Sequence, residues 1–287
     1  MISTLALEAL TQLKETEGLT GPDDLQKFSH DFSWFSPKME AAYESLACDA
    51  GVRVTHPSQL RKLITCCAAH QLPLVLRGAA TGNLGQILPL EGGLMVDVSG
   101  LDRMLEWTDH PSVWVETGVR CVTLENEARA RGYELPCYPS TWMKATMGGF
   151  ALGGSGGIGG MAHGLLHQNK MIRRVKVLTL EENPREILLT GHDVLPLLHS
   201  FGAVAIVTAL EIALAPRRAW SQVALAVPAQ KAALELSVTL LHDWECELRM
   251  MGLLAPPLPA YCLPLKKHFP ASEHLILLEA TPETLPR

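Results

Sequence analysis

Apolar positions along this chain fall into alternating blocks, some with the period of a strand and some with the period of a helix. Residues 52–55 form a short branched run. From Ser58 to about His70, the residues Leu60, Leu63, Ile64, Cys67 and Ala68 recur at i, i+3, i+4, i+7 and i+8. That spacing lays one apolar stripe along a helix, with Ser58 as its cap. Leu72-Pro73-Leu74-Val75-Leu76 reads as a buried strand that delivers Arg77, completing a strand–helix–strand unit. Residues 94–98 and 113–116 are predicted as further strands, and 123–131 as a helix stopped by Gly132. Two branched-rich stretches, 174–180 and 203–214, predict long strands. Beyond Pro216-Arg217-Arg218, a run at 223–227, a helix from Ala229 to about His242 and a run at 275–278 predict a smaller α/β region. At the start, Leu5, Ala6, Ala9, Leu10 and Leu13 carry a helical rhythm that Gly18 would stop. No internal repeat interrupts this order.

Composition narrows the function classes. With 287 residues, 47% hydrophobic and 19% charged, the chain can bury one large core or two modest ones. A net charge of −6 argues against nucleic acid or an anionic membrane as a general partner. No basic segment precedes a long apolar core at the beginning, and no run is long enough to span a bilayer, so neither a secretory signal nor a transmembrane segment is expected. Cys48, Cys66, Cys67, Cys121, Cys137, Cys246 and Cys262 include no C-x-x-C pair, which suits neither a zinc site nor a disulfide scaffold. A reducing, cytoplasmic home without a structural metal is the expectation. His163 and His167 stand at i, i+4, but no Glu follows the first and no third ligand is near, so a structural role is expected for both.

The first chemical signal is Arg77-Gly78-Ala79-Ala80-Thr81-Gly82-Asn83-Leu84-Gly85-Gln86, placed directly after a predicted strand. Small residues there let backbone N–H groups turn outward around an anion, and glycine removes side chains that would hold a phosphate away. Arg77 adds charge, while Thr81, Asn83 and Gln86 add side-chain hydrogen bonds. The second signal is Pro139-Ser140-Thr141, then Ala145-Thr146-Met147-Gly148-Gly149, Gly153-Gly154-Ser155-Gly156-Gly157 and His163-Gly164. Within it, Gly154-Ser155-Gly156-Gly157-Ile158-Gly159 satisfies G-x-G-x-x-G, with Glu181 and Glu182 about twenty residues on. A nicotinamide-binding Rossmann unit is therefore an alternative, weakened because no strand leads into the glycines.

Together the two segments resemble the FAD-binding domain of the vanillyl-alcohol oxidase/p-cresol methylhydroxylase (PCMH) type, and within it the FAD-linked oxidases that act on glycolate and D-lactate. That family shows R-G-G-G-T-S-x-x-G-Q, then P-x-S-x-x-x-A-T-I-G-G-N, an N-A-G-G stretch and an aromatic-Gly pair. Here Ala79 and Ala80 stand for glycines, Gly82 for serine, Phe150 for asparagine, Gly154-Ser155 for Asn-Ala, and His163 for the aromatic residue. A third match runs from Ser200 to Thr208 and echoes G-S-E-G-T-L-G-I-V-T, with Ala203 and Ala205 as departures. The resemblance spans roughly residues 30–217. It implies FAD contacts from Arg77, Gly78, Ala79, Ala80, Thr81, Gly82, Asn83 and Gln86. It implies further contacts from Pro139, Thr141, Ala145, Thr146, Met147, Gly148, Gly149, Gly153, Gly156 and Gly157, and from His163, Ile206 and Val207.

The same resemblance implies an α+β architecture: a PCMH-type FAD-binding domain of two α/β subdomains at 38–217, after an N-terminal helix and lead-in arm at 1–37. A short, incomplete cap-like α/β region follows at 218–287. Covalently flavinylated members carry a histidine where this chain has Thr81, and doubly linked ones a cysteine near Trp142, so FAD is expected to be non-covalent. The expected activity is hydride transfer from a small 2-hydroxy acid to the flavin. No residue is marked as the catalytic base, and the chain reads as truncated at its C-terminus, with another subunit as one way to complete the site. A non-catalytic FAD-binding subunit of a dehydrogenase complex is the rival reading.

Overall fold

The computed structural model describes residues 17–19, 22–168, 170–243 and 247–283. The helical rhythm at 5–13 lies outside them. The first unit runs β1 (Glu17–Leu19), α1 (Pro22–Phe28), α2 (Pro37–Tyr43), β2 (Ala50–Arg53), α3 (Pro57–His70), β3 (Leu74–Arg77) and β4 (Leu94–Asp97). Its sheet has the order β1-β2-β4-β3, with β2, β4 and β3 parallel and β1 antiparallel at the edge. Parallel neighbours need a crossover, which α3 supplies between β2 and β3. The stripe Leu60, Leu63, Ile64 and Cys67 is buried against Val52, Val54, Leu94 and Val96, as its periodicity predicts.

The cap of α3 is His56, two residues before the predicted Ser58. Pro57 occupies the first turn, where a missing N–H is no loss, so the helix begins ahead of Ser58. His56 Nδ1 accepts from Ser58 N at 3.2 Å, and Gln59 Oε1 accepts from His56 N at 3.0 Å, a reciprocal box.

The second unit comprises β5 (Met104–Trp107), β6 (Ser112–Glu116), α4 (Cys121–Ala130), β7 (Tyr133–Glu134), α5 (Met147–Gly153), α6 (Gly160–His163), β8 (Ile172–Leu178), β9 (Glu186–Thr190), a 3-10 turn at Gly191–Leu197, β10 (Ile206–Ala213) and β11 (Ala215–Pro216). Its main sheet is antiparallel, in the order β5-β6-β10-β8-β9. Central β10 is buried through its first seven residues, so it lacks the alternation of a one-sided strand, with Thr208 and Glu211 buried among its apolar residues. Edge strands β5 and β9 are half exposed and escape the hydrophobic pattern. Helices α4 and α5 pack Leu124, Ala128, Met147, Phe150 and Ala151 into the second core. Leu178 and Ile206, from the second sheet, join the core of the first unit, so the two bodies share an apolar boundary.

A third unit follows: β12 (Ser221–Val227), α7 (Gln230–His242), β13 (Leu248–Leu254), α8 (Leu258–Tyr261) and β14 (His274–Ala280). Its antiparallel sheet has the order β12-β14-β13 and a small core of Ala233, Leu248, Ile276, Leu278 and Ala280. It is tied to the second unit by Trp220 Nε1 donating to Glu134 Oε1 at 2.8 Å and Arg249 Nη2 donating to Leu135 O at 3.2 Å. The molecule is thus α+β, and no described helix is long and apolar enough to cross a membrane.

Candidate functional site

Strand β3 ends at Arg77 on the carboxyl edge of the parallel sheet, where open α/β sheets receive ligands. The residues that follow face the second unit across a cleft of about 280 Å³. From the first loop it is lined by Arg77, Gly78, Ala79, Ala80, Thr81, Gly82, Asn83 and Gln86. Pro139, Thr141, Ala145, Thr146, Gly148, Gly149 and Gly153 line it from the second, and Val207 from β10. Two motifs separated by some sixty residues of sequence therefore form opposite walls of one recess.

The walls touch closely. A Cβ on Gly78 would lie 2.5 Å from Thr146 Oγ1, and one on Gly148 would lie 1.8 Å from Thr117 Oγ1. These glycines are required by protein packing. Gly153 differs, because a Cβ there would meet nothing within 4 Å. The space it leaves is room along the cleft rather than room for a neighbouring side chain. Thr146 caps α5 by accepting from Gly149 N at 3.2 Å, which fixes the backbone of the second wall.

The lead-in arm closes on the first loop. Phe32 N donates to Gly82 O at 3.0 Å, and Ser33 Oγ accepts from Gly85 N. Arg77 turns its guanidinium toward this arm, 4.4 Å from the Phe28 ring centroid, and Nη1 donates to Phe28 O. Its Nε is buried without a partner among the described residues. Burial pulls the Arg77 guanidinium below its ordinary value, while Asp97, Cys48 and Asp31 act in the opposite sense. Asp31 also lines the cleft, and its Oδ2 is a second buried atom lacking a partner. Gln86 folds back on its own loop, with Oε1 accepting from Leu84 N at 3.0 Å.

Five of the expected residues do not line the cleft. Met147 is fully buried in the second core, because the α5 helix turns it inward while Gly149 faces out and buried Gly148 packs against Thr117 at the cleft wall. Ile206 joins the first core and Val207 the second, since successive strand residues point to opposite sides. Gly156 backs onto Leu165, and Gly157 onto the Tyr138 backbone. His163 lies away from the cleft, with Glu134, Arg249 and Arg218 around it; its Nε2 is buried without a described partner, and burial lowers its pKa.

Several lining residues were not assigned cofactor contacts from the sequence, among them Asp31, Val98, Thr117, Ser155, Phe201 and Gly202. Thr117-Gly118 at the end of β6 repeats the strand-then-small-residue signal of the first loop and was open to recognition. Phe201 lies within the third motif match, and it reaches the cleft through a left-handed backbone, φ 54°, beside Gly202 at φ 82°. The G-x-G-x-x-G run follows helix α5 instead of a strand, so the Rossmann context is absent. Burial pushes the thiols of Cys67 and Cys121 up to about 12, which keeps both protonated at neutral pH. Among the described residues no group of three His, Cys, Asp or Glu side chains could hold a metal ion.

The recess fits a dinucleotide: small residues on two facing loops, a buried cationic N–H without a partner among the described residues, and open space at Gly153. Residues 48–183 match the family described as "FAD binding domain". Glycolate oxidase subunit GlcD of Bacillus subtilis is 26% identical over 148 residues, covering 51% of this chain and 31% of that protein. A D-lactate dehydrogenase of Anaerostipes hadrus is 23% identical over 159 residues, 55% of this chain and 32% of its own length. The chain thus matches about a third of the length of each. An alkyldihydroxyacetonephosphate synthase structure superimposes with a TM-score of 0.76 at 14% identity, covering 98% of this chain and 56% of that one, which establishes a shared fold. With loops, cleft and family match in agreement, this chain carries a PCMH-type FAD-binding domain and takes FAD as its cofactor.

Proposed function

We propose that the chain is the FAD-binding part of an oxidoreductase that removes a hydride from a small 2-hydroxy acid of the glycolate or D-lactate type, with FAD held non-covalently. The observation that carries this reading is the meeting of the two glycine-rich loops across one cleft, Gly78 against Thr146. The names of the relatives, glycolate oxidase subunit and D-lactate dehydrogenase, support the substrate class. In the same reading, 38–217 is the FAD-binding unit and 218–287 a partial cap.

When bound, FAD supplies the hydride acceptor. The chain's own part is to bind and orient it. Backbone amides of the first loop face the pyrophosphate and Thr81 and Asn83 offer side-chain hydrogen bonds, while Gly148 and Gly149, whose own amides donate to Thr117 O and Thr146 Oγ1, keep the second wall free of side chains. Because the chain's net charge is −6, the phosphates depend on these local dipoles and on Arg77 rather than on the overall field. Phe150, Leu152 and Phe201 add apolar surface to the wall of the cleft. Thr81, at the position where covalent members carry a nucleophile, leaves the cofactor free to dissociate.

A second reading, an FAD-carrying subunit completed by another chain, is favoured by the third sheet. Its β12 edge, Ser221-Gln222-Val223-Ala224-Leu225-Ala226-Val227, carries no charge and no proline to discourage an added strand. One experiment separates the readings. The visible spectrum of the purified chain with FAD is recorded before and after acid precipitation, then anaerobically with glycolate and with D-lactate. Flavin released to the supernatant and bleached by either acid supports the first reading. Bound flavin that neither acid bleaches supports the second.

A further inference from the structure

A second recess opens beside the cofactor cleft and shares Ser140 and Ser155 with it. It encloses about 460 Å³ between the glycine-rich segment around Gly157 and strand β13, within the range of small-molecule sites. Its wall is largely apolar and adaptable, built from Met161, Leu165, Met250 and Met251. Arg249 is the one charged side chain among its described lining residues.

Arg249 is only 2% exposed. It lies between two rings, 4.7 Å from the Tyr138 centroid and 5.5 Å from that of Trp220. Nη2 donates to Leu135 O at 3.2 Å. The counter-charge, Glu279 Oε2, stands 3.9 Å from Nε, beyond hydrogen-bond reach, and Nε has no hydrogen-bond partner among the described residues. A guanidinium offers five N–H donors in a fixed fork, and burying them unmet is costly. Stacking on two rings holds the fork in place but satisfies none of those donors. An incoming carboxylate would accept from the donors left unmet and complete the neutralisation that Glu279 leaves partial.

We propose that this recess is an anion subsite in which Arg249 receives the carboxylate of a small organic acid and the methionine wall takes its hydrocarbon part. That the acid is the one oxidised rests on the function proposed above; the anion site itself does not. Ser140 and Ser155 then mark the boundary at which the acid's other polar end meets the cofactor cleft. Glu279 competes with the ligand for the same cation and so holds affinity down.

The test is a calorimetric titration of the FAD-loaded chain with oxalate, a carboxylate with no hydrogen to give up, with the flavin difference spectrum as a second readout. Oxalate is expected to bind the unaltered chain, and Arg249→Met to weaken it by about tenfold or more while FAD stays bound. Arg249→Lys keeps the charge, loses the fork and should fall between. Glu279→Gln should tighten oxalate, because the guanidinium no longer shares its charge; a merely structural pair would give lower stability and no tightening. If Arg249→Met fails to fold, Arg249→Lys and Glu279→Gln carry the test. No oxalate binding to the FAD-loaded chain, or equal binding by the folded Arg249 variants, overturns the subsite. Oxalate held through Arg249 in a chain whose flavin no 2-hydroxy acid bleaches leaves the subsite standing and overturns the function.

Discussion

Ala80 holds a left-handed backbone, φ 51°, in the middle of the first loop. A Cβ in that region costs roughly 1–2 kcal/mol. The family pattern has glycine there, so the strain comes from the substitution and the loop's shape is imposed by its surroundings. Ala80→Gly should relieve it, and since glycine also loosens the unfolded chain, the net gain is up to about 1 kcal/mol, read as a higher denaturation midpoint. Arg77→Ala should weaken FAD by about 2 kcal/mol, because it removes both the charge beneath the loop and the anchor to Phe28; titration of the apo-chain with FAD checks it. The first loop was legible because its chemistry is contiguous in sequence. Asp31 and Phe201 fell within the lead-in arm and the third motif match but were assigned no contact, because each reaches the cleft through a fold-dependent path: Asp31 on an arm bound to Gly82, Phe201 on a backbone that no bulky residue adopts unaided.

Helix α5 shows how an element hides. It contains Gly148, Gly149 and Gly153, each worth about 1 kcal/mol against a helix, so propensity alone does not mark one there. Tertiary packing reverses that: Met147, Phe150 and Ala151 are buried, and Thr146 caps the first turn. Thr146→Ala should therefore cost about 1 kcal/mol of stability. Gly148→Val should disrupt the fold rather than merely block the cofactor, since its Cβ meets Thr117 and not the open cleft. Lost helix signal in the apo-form would confirm this; a folded variant lacking only FAD affinity would refute it. Strands β5 and β9 hid for the opposite reason: as half-exposed edges they lack the apolar run that marked β8 and β10. Between β10 and β8, Glu211 lies in the sheet with Arg174 Nε and Ser112 Oγ donating to it. Burial pushes its carboxyl up, but the bonds from Arg174 and Ser112 outweigh this and hold it below the usual range. A carboxyl whose pKa is depressed by folding contributes stability above its unfolded value, and that contribution is lost as pH falls through the folded one. Glu211→Gln should accordingly flatten the acid side of the stability–pH curve and leave the neutral region lower.

Across the whole molecule, the cofactor cleft belongs to no single core. Its first wall rides on the parallel sheet and its second on α5 over the antiparallel sheet, with Leu178 and Ile206 at the apolar boundary between them. Individual strands and helices were readable from periodicity and the α+β architecture was implied by the family resemblance, but the third unit was only sketched, because β13 is a methionine-rich strand with little alternation. A ligand that spans both walls favours only the state in which they face one another. By mass action, free FAD at a hundred times its dissociation constant would stabilise that state by about 2.7 kcal/mol. The thermal midpoint should therefore climb with FAD concentration, and Arg77→Ala should shift that climb to higher concentrations. Cofactor supply then becomes a control on protein abundance: chains made faster than FAD can load them would open along the boundary and meet proteases first.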